Sequence, residues 1–229
     1  MKYNLKNLTK QYLLETPSYR AFLPKYRKYI LNYDHIAFRS LSKDEILKES
    51  DNFKLQDTFF KFDKYNANAM WYKTNHKFKR IFMSYYKGTD TDSSLDKNEK
   101  DLVNEVLETK RNMFYEEYLK IHNKNQYLAW TLIHKDRINH IAIEVNDIEN
   151  LTTRLINDGF EMNNVNGNVY SVGLNKKLIQ TSIVADKIKY NFTDGVHLVP
   201  ASFVEFVQRI DNIDGFDNFN ANNVVLSTK

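Results

Sequence analysis

Apolar residues recur at helical spacing over residues 7–31, where Leu13, Leu14, Phe22, Leu23, Tyr26 and Ile30 form a stripe interrupted at Pro17 and Pro24. The period then shortens, and residues 33–40 alternate as a strand. Leu41-Ser-Lys-Asp-Glu45 predicts a short capped helix, with Ser42 as N-cap and Glu45 three residues on. Residues 58–62, 69–73 and 80–86 have the aromatic-rich texture of sheet strands. The polar run 88–98 predicts a mobile connection. Residues 100–123 read as one long helix, with Leu102, Val106, Met113, Tyr115 and Leu119 on its apolar face, followed by a second helix over 126–133.

The first pattern then recurs. A strand over 137–144 leads to a helix over 147–157 that stops at Gly159, and strands follow at 169–173, 178–185, 188–192 and 203–208. Strand, helix and three or more strands thus occur twice, bridged by helices. The expected fold is α+β: two βαβββ modules, about 30–135 and 136–229, whose curled mixed sheets surround a shared cavity. A helical segment, 1–31, precedes them. No linker rich in proline, glycine or serine separates the halves, so residues 1–229 are expected to form a single domain.

Composition changes this picture little. Of 229 residues, 42% are hydrophobic and 27% charged, as in an ordinary soluble protein. No apolar run approaches the length of a membrane helix, and the N-terminus lacks an apolar signal core, so a cytosolic protein without a membrane partner is expected. The absence of cysteine removes disulfides, thiolate metal sites and a cysteine nucleophile. A net charge of +4, spread among acidic residues, does not suggest a nucleic-acid partner. The densest basic stretch, 73–87, interleaves with Phe78, Phe82, Tyr85 and Tyr86 and reads as a strand pair with a solvated lysine edge. The sequence leaves the oligomeric state open.

Candidate chemistry lies in a near-repeat, Asp34-His-Ile-Ala-Phe-Arg39 and Asn139-His-Ile-Ala-Ile-Glu144. Alternation places His35, Ala37 and Arg39 on one strand face, and His140, Ala142 and Glu144 likewise on another. Alanine beside each histidine leaves room for a metal and its substrate. A third apolar strand carries Glu205, and a buried carboxylate demands a cation, hydrogen bonds or protonation. Two histidines and one carboxylate on three strands suit a facial metal triad with open positions. Taken singly, each histidine also fits a hydrogen-bonded core residue. Glu144 is the rival carboxylate, as fourth ligand, as support behind a ligand, or at the rim. His197 could in principle reach the metal, whereas His76, His122 and His134 read as surface or helix-end residues.

Longer stretches resemble the 2-oxoadipate dioxygenase/decarboxylase family of the vicinal-oxygen-chelate superfamily. They include the first repeat, Arg80-Ile-Phe-Met-Ser84, Tyr127-Leu-Ala-Trp-Thr-Leu-Ile-His-Lys-Asp-Arg-Ile-Asn-His140 and Leu178-Ile-Gln-Thr-Ser-Ile-Val-Ala-Asp186. Phe192-Thr-Asp-Gly195, Pro200-Ala-Ser-Phe-Val-Glu-Phe-Val-Gln-Arg209 and Gly215-Phe-Asp-Asn-Phe-Asn-Ala-Asn222 continue the match in order. The resemblance implies Fe(II) held by His35, His140 and Glu205, which leaves Glu144 to a supporting or rim position. It implies that Arg39 grips a substrate carboxylate and that Gln180 contacts substrate or supports a ligand. The implied reaction takes O2 and a 2-oxo acid, 2-oxoadipate, to 2-hydroxyglutarate and CO2, a step of lysine breakdown. The alternatives are a redox-neutral isomerase or lyase of the superfamily using Zn, Ni or Mn, and a non-catalytic descendant that binds a small acid or a partner.

Overall fold

The computed structural model describes residues 5–44, 54–74, 77–164, 167–217 and 221. Its centre is an eight-stranded mixed sheet in the order β2-β3-β4-β1-β5-β10-β7-β6. The first module supplies β1 (Ile30–Ser40), β2 (Lys54–Phe62), β3 (Ala67–Lys73) and β4 (Arg80–Tyr86). The second supplies β5 (Arg137–Val145), β6 (Ser171–Gly173), β7 (Leu178–Ser182) and β10 (Phe203–Arg209). Within each half the first strand pairs in parallel with the last, β1 with β4 and β5 with β10. Antiparallel pairing of β1 with β5 joins the halves into one sheet. The two-module architecture is therefore the one the repeat predicts. The segment between β1 and β2 that would hold the first module's helix falls mostly in 45–53, outside the described residues. Ser42 Oγ does accept from Asp44 N at 3.2 Å, as at a helix start; Glu45 lies outside.

The strand expected at 188–192 is not part of this sheet. It is β8 (Lys187–Phe192), which pairs only with β9 (Gly195–Pro200) in a separate two-stranded ribbon. Its alternation explains the difference. Lys187, Lys189 and Asn191 face solvent, and only Ile188, Tyr190 and Phe192 have an apolar surface to cover.

Two cores flank the sheet. On the convex side α1 (Leu5–Glu15), α2 (Pro17–Lys25) and α6 (Ile148–Asn157) cover Ile36, Ile141, Ile143, Val204 and Phe206. Thr16, kept out of the helical region at φ −123° and ψ 75° by the proline that follows, separates α1 from α2. Pro24 does not interrupt α2 as expected, because it lies in the last turn and the helix ends at the next residue. Tyr12 reaches from α1 into the sheet, its hydroxyl donating to Phe203 O at 2.6 Å.

On the concave side α3 (Lys97–Thr109), α4 (Tyr115–Lys124) and α5 (Gln126–His134) pack against the aromatic face of β3 and β4. The single helix expected over 100–123 is two helices. Lys110 takes a left-handed conformation (φ 54°), and Arg111 bridges Glu105 and Glu117 across the break at 2.9–3.0 Å. Nor is the polar run 88–98 loose: Asp92 is buried and accepts from the Tyr86 hydroxyl at 2.7 Å and Asn125 Nδ2 at 2.9 Å. Among the described residues, no helix is long and apolar enough to cross a membrane.

Candidate metal centre

Three strands bring His35 (β1), His140 (β5) and Glu205 (β10) together on the concave face, all buried. His35 Nε2 lies 3.2 Å from His140 Nε2, and His140 Nε2 lies 3.1 Å from Glu205 Oε2. His35 Nε2 is 3.9 Å from Glu205 Oε1. Donors around one ion at ligand bonds of roughly 2.0–2.2 Å stand about 3 Å apart, so this spacing is that of a metal site. Register explains the convergence. Ala37 faces His140, and Ala142 faces both His35 and Glu205, so an alanine lies beside each ligand.

The protons argue the same way. His35 Nδ1 faces Asp34 Oδ1 at 2.8 Å and His140 Nδ1 faces Asn139 Oδ1 at 3.1 Å. Both oxygens are acceptors, so each Nδ1 carries the proton and each Nε2 presents a lone pair. Burial, then His35 and Arg39, holds the His140 imidazole well below its usual range, in the neutral form that binds metal. Glu205 Oε2 is buried without a hydrogen-bond partner, while Gln180 Nε2 donates to Oε1 at 2.5 Å. Three acceptors thus converge on one point with no donor among them, an arrangement that a cation satisfies. Burial raises the Glu205 pKa, the cost that a bound cation would offset.

The modules also explain why there are three donors. In the first half Phe82 stands opposite Ala37, just as Glu205 stands opposite Ala142 in the second. Phe82 therefore occupies the position of a fourth ligand and leaves that side open. A small cavity there is bounded by His35, His140, Glu205, Gln180, Phe82 and Phe216.

Strict alternation would turn Asp34 and Asn139 away from the histidines that follow them. Register shifts in the β1–β5 pairing, between Tyr33 and His35 and opposite the Ala37/Phe38 step, make each an extra residue in its strand. Such bulges redirect side chains. The sequence reading missed both supports, although an acidic or amide residue before each histidine of the repeat was the available signal. Asp34 is in turn gripped by Arg209 (2.6 and 3.1 Å) and Arg80 (3.0 Å). Burial alone would raise its pKa, but the His35 hydrogen bond and Arg209 outweigh it and hold the carboxyl well below the usual carboxylate range. Arg209 also donates to the carbonyls of Ile213 and Gly215 and stacks over Phe216, which meets the His35 ring edge-on.

The remaining candidates fall elsewhere. Glu144 is buried, pairs with Lys79 at 2.5 Å and is not in the metal cluster. His197 stacks on Tyr115 with ring centres 3.9 Å apart, on the outlying ribbon. His134 is at the helix end, as one of the two expected placements had it, and is buried, bonded through Nε2 to Pro200 O at 2.8 Å. His76 is outside the described residues. Arg39 is buried at 7% exposure, with its guanidinium 5.0 and 5.4 Å from the ring centres of Tyr127 and Trp130. It does not line the cavity bounded by His35. It opens onto a different cavity, lined in part by Phe203, the residue stacked on His140. There Arg39 has no hydrogen bond or ion pair to any described residue. His122, expected as a surface or helix-end residue, lines the same cavity from the last turns of α4.

Known proteins resemble this chain in sequence and in fold. The curated 2-oxoadipate dioxygenase/decarboxylase of Arabidopsis thaliana chloroplasts is 35% identical over 98 residues, covering 39% of this chain and 26% of that protein. The corresponding Oryza sativa subsp. japonica protein is 24% identical, over 88% of this chain and 67% of its own. The chain thus spans about a quarter of the first relative and about two thirds of the second in these matches. The crystal structure of the Oryza sativa hydroxyglutarate synthase in complex with 2-oxoadipate shares the fold, with a TM-score of 0.84 at 23% identity over 98% of this chain and 90% of that one. Residues 66–213, which contain His140, Gln180 and Glu205, match the family described as 2-oxoadipate dioxygenase/decarboxylase, and the chain belongs to that family.

Proposed function

We propose that this protein is an iron(II)-dependent dioxygenase that decarboxylates a 2-oxo acid, converting 2-oxoadipate to 2-hydroxyglutarate and CO2. The observation that carries the reading is the pairing of a three-donor site with a buried guanidinium further along the same strand that has no hydrogen bond or ion pair to any described residue. A buried cation without a partner is costly, and a substrate carboxylate supplies the partner. Arg39 lies four residues from His35, roughly 13 Å along β1 at about 3.3 Å per residue, with only Ala37 between them on that face.

Each residue then has a task. His35, His140 and Glu205 hold the ion. Asp34 and Asn139 fix the two imidazole tautomers, and Gln180 holds Glu205 so that its second oxygen faces the ion. Arg39 anchors a carboxylate with a planar pair of donors. Phe82, Phe203 and Phe216 keep water from the site. Bound iron(II) would supply Lewis acidity toward the 2-oxo acid and redox chemistry with dioxygen. The overall change balances without an added reductant: both atoms of O2 are retained in 2-hydroxyglutarate and CO2, and the 2-oxo acid provides all the electrons.

Oxygen uptake on 2-oxoadipate, measured for metal-free and iron-loaded protein, tests the reading. Uptake that appears only with iron supports it. An iron-saturated protein that consumes no oxygen across a panel of 2-oxo acids would contradict it and leave a redox-neutral or non-catalytic role.

A further inference from the structure

Arg209 stands at the end of β10, four residues after Glu205, with a side chain only 2% exposed. A guanidinium carries five N–H donors in a fixed plane, and here they are divided between two tasks. Nε and Nη2 form a fork on both oxygens of Asp34, whose Oδ1 also faces His35 Nδ1. Nη1 points the other way and donates to the carbonyls of Ile213 and Gly215 at 3.2 and 2.8 Å. The guanidinium carbon lies 5.2 Å from the centre of the Phe216 ring.

The turn held by Nη1 is costly to form. Asp211, Asn212 and Gly215 all take left-handed backbone, with φ of 55°, 52° and 88°. From outside, Asp214 ties the turn to Lys73, but the two side chains are 40% and 49% exposed, and such pairs contribute little. The buried contacts of Arg209 are the stronger hold. What the turn delivers is Phe216. Its ring meets His35 edge-on with centres 4.9 Å apart, packs on Trp71 and Phe82 at 5.6 and 5.5 Å, and forms one wall of the metal cavity. Trp71 beneath it is 4% exposed.

We infer that Arg209 is a positioning residue with two separable functions: it fixes the carboxylate behind His35, and with the same guanidinium it seats Phe216 over the metal cavity. The inference rests on the reading of the triad as a metal site and adds what joins a ligand to its cover. Only a planar fork can serve both. A lysine ammonium at this position would satisfy the charge of Asp34, but from a single nitrogen it would not span the carboxylate and two carbonyls on opposite sides.

The test uses zinc(II), which takes the same nitrogen and oxygen donors without redox chemistry. Its affinity is measured by calorimetry. The cover is read from acrylamide quenching of Trp71 in a Trp130→Phe background, which leaves Trp71 as the one tryptophan. Phe216→Ala should raise quenching threefold or more and leave zinc affinity within about twofold. Arg209→Lys should expose Trp71 to the same degree while zinc affinity stays within about threefold. Arg209→Met should expose Trp71 and weaken zinc tenfold or more. Recovery of one function but not the other by lysine is what a merely structural role would not give.

Arg209→Lys with Trp71 as protected as in the unmodified chain would overturn the inference, as would a folded Arg209→Met that binds zinc undiminished. If Arg209→Met does not fold, the lysine variant decides through Trp71. The two readings fail separately. An unmodified protein that binds no zinc sinks the metal site, and with it the support of a ligand, whereas zinc bound equally by every Arg209 variant keeps the metal site and sinks the inference.

Discussion

Asp34 and Asn139 occupy equivalent bulges in the two modules, and each accepts a hydrogen bond from Nδ1 of the histidine that follows it, at 2.8 and 3.1 Å. The pair makes the imidazoles good ligands before any ion arrives. Such supports are worth roughly 10–100-fold in metal affinity. Asn139→Ala should therefore lower iron affinity about tenfold with little effect on stability. Asp34→Ala should also destabilise the fold by about 3–5 kcal/mol, because it leaves Arg80 and Arg209 buried without their shared partner. Metal titration and urea unfolding of the two variants check this; unchanged affinity in Asn139→Ala would contradict it.

Glu205→Gln replaces the buried carboxylate by a neutral group of the same shape. Iron binding should fall below detection, and the stabilisation that iron confers on unfolding should vanish. In metal-free protein, however, the variant should be at least as stable as the unmodified chain, since the unpaired Oε2 charge is gone. Thermal unfolding with and without iron separates these effects. A variant that still gains stability from iron would exclude Glu205 as a ligand.

Arg39→Met should leave iron content intact and raise or preserve stability, because a buried cation without an ion-pair partner among the described residues is replaced by an apolar side chain. Turnover of 2-oxoadipate should drop about tenfold to over a hundredfold, since charge-assisted hydrogen bonds contribute roughly 1.5–3 kcal/mol. Arg39→Lys should fall between, having kept the charge and lost the planar fork. Iron content and kcat/KM measured side by side decide it, and unchanged turnover in Arg39→Met would remove the carboxylate assignment.

Burial pulls His134 down to about 4, from an unfolded value near 6.5. Its Nε2 proton goes to Pro200 O and Nδ1 faces Arg137 Nη1 at 3.4 Å, so protonation would set two N–H donors against each other. Between about pH 4 and 6.5 the unfolded chain binds the extra proton. The stability due to the neutral ring is thus complete above about 6.5, lost as pH falls, and gone near 4, a total of about 3 kcal/mol. His134→Gln keeps a donor for Pro200 and removes the titration. Urea unfolding at pH 7.5 and 4.5 should show the unmodified protein losing about 2–3 kcal/mol more than the variant. Equal losses would contradict this.

Much of the site was legible because it lies in strands of strong pattern. The repeated His-Ile-Ala motif and the apolar strand around Glu205 located three residues on three strands, and the structure brings them within contact distance of a common point. What alternation could not show is where it breaks. Asp34 and Asn139 reach their histidines only through bulges that exist in the pairing of β1 with β5. Arg39, Tyr118, His122 and Gln126 meet only when α4 and α5 dock on the sheet, and no local spacing records that docking. The break at Lys110 was hidden for another reason: a lysine and not a glycine takes the left-handed turn, and Arg111 bridges Glu105 and Glu117 across it.

The central claim is most directly tested by the stoichiometry of the reaction in iron-loaded protein. With limiting 2-oxoadipate, oxygen uptake, CO2 release and 2-hydroxyglutarate are quantified in the same vessel. The account predicts one of each per 2-oxoadipate consumed, with no added reductant and none of the three in Glu205→Gln. Consumption of 2-oxoadipate without oxygen uptake, or oxygen uptake without CO2, would contradict it.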